Sequence, residues 1–585
     1  MDYRVSMEAP HRHLFEVEAV LERPGPATML ALPVWTPGSY LVREFARHLE
    51  GIRAEDEAGR PLLLERVDKQ RFLLRAGRAA RAVVRYRVYA NDLTVRTCHL
   101  DGTHGYWNGA ALFLYAEGRE AEPCRLEVAA PDGWRVATAL EGGPAAFRAR
   151  DYHELVDAPV EVGRHRTARF TALGKAHELA VWGNGPLDLD RFAGDVQRIV
   201  EHLGGLMGGL PYERYLFLVH LTDKRKGGLE HASSTSLQVA RTGFHPRDAY
   251  LETLSLVAHE FFHAWNVKRL RPRALLPYDY SREQYTRLLW WFEGVTSYYD
   301  HLALARAGFL DGPGLLRHLG EQLTALARTP GARKMSPEEA SFLAWVKHYR
   351  PDENSVNSAV SYYLAGECVA FALDLLLRRA GSSLDALLLR LYQRHAADGL
   401  PEDGVEREAA ALLGEAAARD FFEACVSGTA PVAERLALEP LGLALRRRAG
   451  EGPEDKGGTP GKPGEKQPAG WLGADLGPNS KLVVSAVREG SPAERAGLQA
   501  EDELVAEDGF RIDRAGLQER LRERGPQGQL RLHLFRRDEL VEVPVQLSPQ
   551  PEDALWLEPR EGAGAAEREA FHRWCGAAFP ARGPG

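Results

Sequence analysis

Cysteine is scarce in this chain: Cys98, Cys124, Cys368, Cys425 and Cys575 are all there are in 585 residues, and no CxxC spacing occurs. An odd, scattered set excludes a disulfide framework and a thiolate metal centre. Long apolar runs are missing too. No stretch of 18 or more apolar residues appears, and the first residues, MDYRVSME, lack the basic start and apolar run of a signal peptide. The expectation is a cytoplasmic protein that spans no membrane. Nor is there an excess of positive charge: 74 Lys and Arg stand against 82 Asp and Glu, a net charge of −8. No general basic field is therefore available to hold nucleic acid. What remains is ordinary globular chemistry, 44% hydrophobic and 27% charged, in a length that calls for several domains.

The chain divides by pattern into a multidomain α+β protein. Residues 1–168 alternate in short apolar segments, HLFEVEAVL, RFLLRA, AVVRYRVYA and LEVAA, between turn clusters such as RPGPA and PDG. That pattern predicts an all-β, sandwich-like domain. Residues 169–448 change to helical period in LDRFAGDVQRIVEHLGGL, in Asp248–Lys268 and in GECVAFALDLLLRRAG. A mainly helical domain is expected there, with a few strands such as RYLFLVHL near its start. Residues 449–469, AGEGPEDKGGTPGKPGEKQPA, are too poor in apolar side chains to order themselves and read as a flexible linker. Residues 470–547 read as a compact block of strands with one helix, and 548–585 as a Gly/Ala/Pro-rich tail.

The chemistry lies in RDAYLETLSLVAHEFFHAWNVKRLRP. A helix beginning after Pro246, with Asp248 at its positive end and Lys268, Arg269 and Arg271 before the stop at Pro272, would carry His259, Glu260 and His263. His259 and His263 then lie one turn apart on one face, able to reach a single ion, and Glu260 is rotated by about 100° from His259. A water-activating zinc site needs three protein ligands and an open position, so a third ligand is required downstream. Glu293, in LLWWFEGVTSYYDHLALA, is a carboxylate among Trp291, Phe292 and Val295 that would be costly to bury unpaired. A second helix carrying it to the first would complete the set. The aromatic cluster of Trp265, Trp290, Trp291 and Phe292 has helical spacing and reads as core rather than as a substrate platform.

HEFFHAWNVKRLRP, WWFEGVTSYYD, the upstream KGGLEHASST and the early WTPGSYLVREF together resemble the glycyl-aminopeptidase family of zinc metallopeptidases, and the resemblance covers nearly the whole chain. It implies a thermolysin-like catalytic domain that binds one Zn2+ through His259, His263 and Glu293. It makes Glu260 the general base and places Gly227, Gly228 and Glu230 on the substrate, Glu230 pairing with the α-ammonium. Tyr363, with Tyr362 as the alternative, would stabilise the oxyanion. The resemblance extends to the larger alanyl-aminopeptidase and leukotriene-hydrolase family, a distant relative, and two departures from its pattern are Ala365 in place of a lysine and His231 in place of an asparagine, the second of which bears on the substrate's first pocket. Residues 470–547 resemble a PDZ domain, with Trp471, Leu472 and Gly473 in its carboxylate-binding loop. The expected activity is removal of an N-terminal Gly or Ala from peptides with a free N-terminus, with protein C-termini as partners of the PDZ groove. The rivals are a zinc endopeptidase and a catalytically silent PDZ-based scaffold.

Overall fold

The computed structural model describes residues 1–224, 226–452, 454–461, 469–478 and 481–581. They form two compact units, Met1–Tyr285 with Leu391–Pro401, and Thr286–Arg390 with Glu402–Gly585. All five cysteines are buried and unbridged.

In the first unit, strands between Asp2 and Gly163 build an eleven-stranded and a four-stranded sheet. The alternation that predicted them is the alternation that buries them: in Leu14–Glu22, Phe15, Val17, Ala19 and Leu21 point inward while Glu16, Glu18 and Glu22 do not. These side chains join Phe72, Leu74, Trp107, Phe113 and Tyr152 in one core. Tyr280, from far along the chain, enters the same core, and Trp35 donates its indole N–H to Asp279 O at 2.8 Å.

A five-stranded sheet follows, in the order β1 (Arg166–Ala172), β2 (Lys175–Trp182), β3 (Arg214–Thr222), β5 (Ser234–Ala240), β4 (Gly227–Glu230). The strand read from RYLFLVHL is the central β3. It runs parallel to both neighbours and is buried in all but its first residue, as a doubly covered parallel strand requires. β4 is the edge, antiparallel to β5, with Gly228 opposite Leu237 and Glu230 opposite Thr235. Helix α1 (Leu189–Leu206) coincides with the periodic segment. Asp188 caps it by accepting from Arg191 N–H, and Phe192, Val196, Ile199, Val200 and Leu203 form its buried stripe.

Helix α2 (Arg247–Phe262) starts where expected, with Asp248 in its first turn. Its end differs from the sequence reading. The α-helix stops at Phe262, and irregular turns carry the chain to Leu270: Ala264 N–H bonds Phe261 O at 3.0 Å, three residues back, and Leu270 N–H bonds Trp265 O at 2.9 Å, five back. Two of the basic residues read as the helix's end turn inward: Lys268 pairs with Asp157 at 2.6 Å, and Arg269 donates to Pro211 O at 2.7 Å and Ala264 O at 3.0 Å.

The second unit is built on α3 (Thr296–Arg306), α4 (Gly312–Ala327) and α5 (Tyr362–Arg379). Ser355–Arg379 is long and apolar enough by composition to cross a membrane, yet 78% of its most apolar 18 residues are buried inside the protein. Its Asp374 accepts from Tyr298 O–H at 2.8 Å and Leu384 N–H at 2.9 Å, so the polar groups of α5 are used within the fold.

The region after α5 departs most from the sequence reading. β6 (Leu443–Arg448) pairs antiparallel with β12 (Ala554–Pro559), which lies in the supposed tail. Between them a separate sheet holds β7 (Ala474–Leu476), β8 (Leu482–Val487), β9 (Glu503–Glu507), β10 (Gln529–Arg536) and β11 (Glu539–Gln546), with helices α6 (Pro492–Ala496) and α7 (Arg514–Arg524) and its own core. One helix was expected there and two are present. The block is thus an excursion from a paired strand.

Part of the expected flexible linker has a defined course. Asp455 accepts from Arg448 and from the N–H groups of Glu451 and Gly457, and Gly458 N–H bonds Leu555 O at 2.8 Å. Residues 462–468 of that linker lie outside the described residues. The tail ends in helix α8 (Ala565–Cys575), which buries Phe571, Trp574 and Cys575; the Trp574 indole donates to Tyr298 O–H at 2.8 Å. Trp574→Ala should cost about 3–5 kcal/mol, seen as a lower urea midpoint; an unchanged midpoint would make α8 an ornament.

Candidate active site

On α2 the His259 and His263 rings meet edge to face, with centroids 4.8 Å apart. His263 Nδ1 lies 2.7 Å from Asn266 O. A carbonyl only accepts, so Nδ1 carries the proton and Nε2 is the basic nitrogen, the one able to ligate a metal. The tight turn after Phe262 is what brings Asn266 O there. Two imidazoles and nearby carboxylates are a donor set that zinc takes.

β4 lies against this helix. A Cβ at Gly228 would stand 2.1 Å from Glu260 Oε1, so the strand backbone and the Glu260 carboxylate are in direct contact through a missing side chain. Glu230, Glu260 and His263 each place a donor atom within 4.8 Å of the others. Glu230 is 4% exposed, and its Oε1 has no hydrogen-bond partner among the described residues. The β domain closes over it: Gly38, at φ +88° in WTPGSY, has no Cβ, and one there would meet Glu230 Oε1 at 2.5 Å. Arg96, also from the β domain, donates to Gly228 O at 3.2 Å and holds the edge strand.

In the second unit Glu293 sits on a π-helical turn, Trp290–Val295, that runs into α3 and buries it to 2% exposure. This turn meets α5 backbone to backbone. A Cβ at Gly294 would be 2.3 Å from Gly366 Cα, and one at Gly366 would be 2.3 Å from Trp290 O. The glycine pair therefore sets the spacing between Glu293 and the start of α5. There Tyr362 and Tyr363 stack at 4.7 Å, and the His348 ring lies 4.8 and 5.4 Å from them. Burial lowers the His348 pKa, and the Glu293 carboxylate works against that. Tyr362 is fully buried whereas Tyr363 is half-buried.

A family model described as the peptidase M61 N-terminal domain matches residues 2–164, and one described as M61 glycyl aminopeptidase matches residues 252–369. The crystal structure of an aminopeptidase N family protein from Idiomarina loihiensis is similar at 32% identity, over 98% of this chain and 99% of that one, with a TM-score of 0.91. The chain belongs to the M61 peptidase family. A mutant M1 zinc metallopeptidase from Deinococcus radiodurans, bound to a Tyr-Ser-Ala substrate, is similar at 15% identity over 73% of this chain and 93% of that one, with a TM-score of 0.47. No curated protein matches.

In this M61 peptidase His231 turns toward Asp157, its Nδ1 3.2 Å from the carboxylate, which also accepts from Ala232 N–H at 2.8 Å. Burial would raise the Asp157 carboxyl, but the Lys268 ammonium and His231 outweigh it and hold it well below the usual carboxylate range. His231 and Lys268 thus tie the loop after Glu230 to the β domain.

His104, Tyr106 and Asn108 belong to the fold. His104 Nδ1 lies 3.0 Å from Glu161, which also pairs with His220; Tyr106 O–H reaches Ser236 Oγ at 2.9 Å; Asn108 accepts from Ala110 N–H at 3.1 Å. Trp265, Trp290, Trp291 and Phe292 are core, none more than 1% exposed. Gly38, Arg96, Asp157 and His348 went unseen in the sequence. The signal for Gly38 was present, since a glycine in a Pro-Gly turn marks a place where a side chain is excluded.

Gly228→Ala should push the Glu260 carboxylate aside and lower kcat by about tenfold to a hundredfold with metal content unchanged. Full turnover in that variant would mean that Glu260 has room to spare.

Proposed function

We propose that this M61 chain is a zinc-dependent aminopeptidase that removes a small N-terminal residue, glycine or alanine, from peptides. The observation that carries this reading is the Glu230 carboxylate: buried, with Oε1 unpartnered, roofed by Gly38 and within reach of Glu260. A buried anion of that kind favours a cation as its partner, and the free α-ammonium of a peptide is one. The Gly38 roof opposes a chain that continues past it.

In this reading His259, His263 and Glu293 hold one zinc ion, which when bound polarises the scissile carbonyl and acidifies water. Glu260 takes the proton from the attacking water and returns it to the leaving amine. Tyr363, the more exposed tyrosine of the pair, donates its hydroxyl hydrogen to the carbonyl oxygen as that oxygen gains charge. The Gly227–Gly228 backbone of the edge strand lies along the peptide. Residues 470–547 act as a PDZ domain, with Trp471, Leu472 and Gly473 receiving a peptide C-terminus.

A glycyl peptide and its N-acetylated form separate the aminopeptidase from an endopeptidase. Cleavage of the free amine alone is expected, and equal rates would overturn the reading. Protein that purifies without zinc and gains no activity on its addition would favour the scaffold.

A further inference from the structure

Within the second unit, a cavity of about 540 Å³ opens between the 470–547 block and the end of α4. One wall is the loop Trp471–Gly473, β7 and the α7 residues Arg514, Leu517 and Gln518; the other is the turn after α4, with Arg328 and Arg333. The loop presents the N–H groups of Leu472 and Gly473, neither with an acceptor among the described residues, and Gly473 has φ +75°. Successive N–H groups in such a turn make a concavity for an anion. Most charges around it are already matched: Arg488 holds Asp475, Arg328 holds Asp553 and Lys334 holds Glu489. Among the described residues Arg514 has only a carbonyl partner, Gly477 O at 2.5 Å. A carboxylate beside an aliphatic side chain, the end of a peptide, fits these N–H groups and Leu517.

Both walls also grip the segment that leads into α5. Asn357 donates to Val487 O at 2.8 Å and accepts from Glu489 N–H at 2.9 Å, so one side-chain amide clamps the turn Val487–Glu489, part of which lines the cavity. On the other wall Gly331 packs on the backbone of Ala359, where a Cβ would stand 2.1 Å from Ala359 O. Ala359 is two residues before Ser361, the N-cap of the helix that begins with Tyr362 and Tyr363.

We infer that this cavity is an effector site: a peptide carboxy-terminus lodged between the 470–547 block and the turn after α4 changes turnover at Tyr363 through Asn357 and Ala359. The inference rests on the proposed aminopeptidase activity for its kinetic consequence, but not for binding or for the movement of residues 354–361.

The test uses the full chain with zinc and a chromogenic glycyl anilide, a substrate with no carboxy-terminus of its own. The probe is a pool of N-acetylated hexapeptides ending in Val, Leu or Ile, which have no free amine, and the control is the same pool as C-terminal amides. The acid pool should bind by fluorescence anisotropy, change amide-hydrogen exchange in residues 354–361, and shift kcat at least about threefold with little change in KM. The amide pool should do none of these. Gln518→Trp, which fills the cavity from a half-buried position, should abolish binding and response together. Asn357→Leu should bind the pool with unchanged affinity but lose the exchange change and the kcat shift. Absence of binding by the acid pool, an equal effect of the amides, or a response surviving in Asn357→Leu would each overturn the inference. A chain that cleaves no anilide but still shows the exchange change, lost in Asn357→Leu, would refute the aminopeptidase reading and keep the coupling.

Discussion

Glu260→Gln is expected to bind zinc as the wild type does and to lose about 10²- to 10⁴-fold in kcat. The exchange is nearly isosteric, so the contact with Gly228 survives, but an amide cannot take a proton from water at neutral pH. The loss should fall on kcat with KM little moved, because in the proposed mechanism Glu260 acts on the attacking water and not on substrate held in the ground state. Metal analysis and single-turnover rates check it. Stoichiometric zinc with undiminished turnover would remove Glu260 from the chemistry, whereas lost zinc would mean that the substitution damaged the ligand helix. Gly228→Ala is the companion from the other side of the same contact: it leaves the carboxylate in the protein and moves it. A graded loss, smaller for Gly228→Ala than for Glu260→Gln, is what a position-sensitive base produces.

Local pattern carried the parts of this structure whose causes are local. The α1 segment was legible because its cap and its apolar stripe lie within one window, and the start of α2 was legible from Pro246 and Asp248. The end of α2 was not, because Lys268 and Arg269 obey a long-range rule. Their charge is spent on Asp157 and on the carbonyls of Pro211 and Ala264, the first two of which are far from them in sequence. The tail misled by composition. Its Gly, Ala and Pro content suggests disorder, yet Phe571, Trp574 and Cys575 stand at i, i+3 and i+4, the spacing of a buried helix face, and that short stripe outweighs the average. The linker misled likewise: Asp455 organises its first half through Arg448, and one carboxylate accepting several hydrogen bonds can order a segment with almost no apolar side chains.

For the candidate site, the motif residues were readable as types and spacings, but what makes each one specific was not. Glu260 needs Gly228 to be a glycine, Glu230 needs Gly38, and the turn bearing Glu293 needs the Gly294–Gly366 crossing. In each case the chemistry-bearing residue is charged and an enabling glycine, Gly228, Gly38 or Gly366, lies elsewhere in the chain. A glycine's role is set by what approaches it, and sequence does not display that.

Glu230→Gln is expected to lower kcat/KM for a free-amine glycyl peptide by about 2–5 kcal/mol, the cost of breaking one buried charge pair, or roughly thirtyfold to several thousandfold at 1.36 kcal/mol per factor of ten. The substrate's ammonium would then be taken from water into a site that offers an amide dipole in place of a charge. Gln keeps the volume beneath Gly38, so the loss reports charge rather than packing. Lys268 sharpens the expectation. Burial disfavours its ammonium, with Asp157 the largest opposing influence and Glu230 a lesser one. Removing the Glu230 charge leaves Lys268 closer to uncompensated and the local field more positive, which repels the substrate's ammonium further. The discriminating measurement is the ratio of rates for the free and N-acetylated peptides. In the wild type the free amine should be favoured strongly, and in Glu230→Gln the ratio should collapse toward one, chiefly through loss of the free-amine rate. If the preference for the free amine survives unchanged, the ammonium is bound elsewhere. Glu230 would then be a buried acid held for the fold, and the exopeptidase reading would need another anchor.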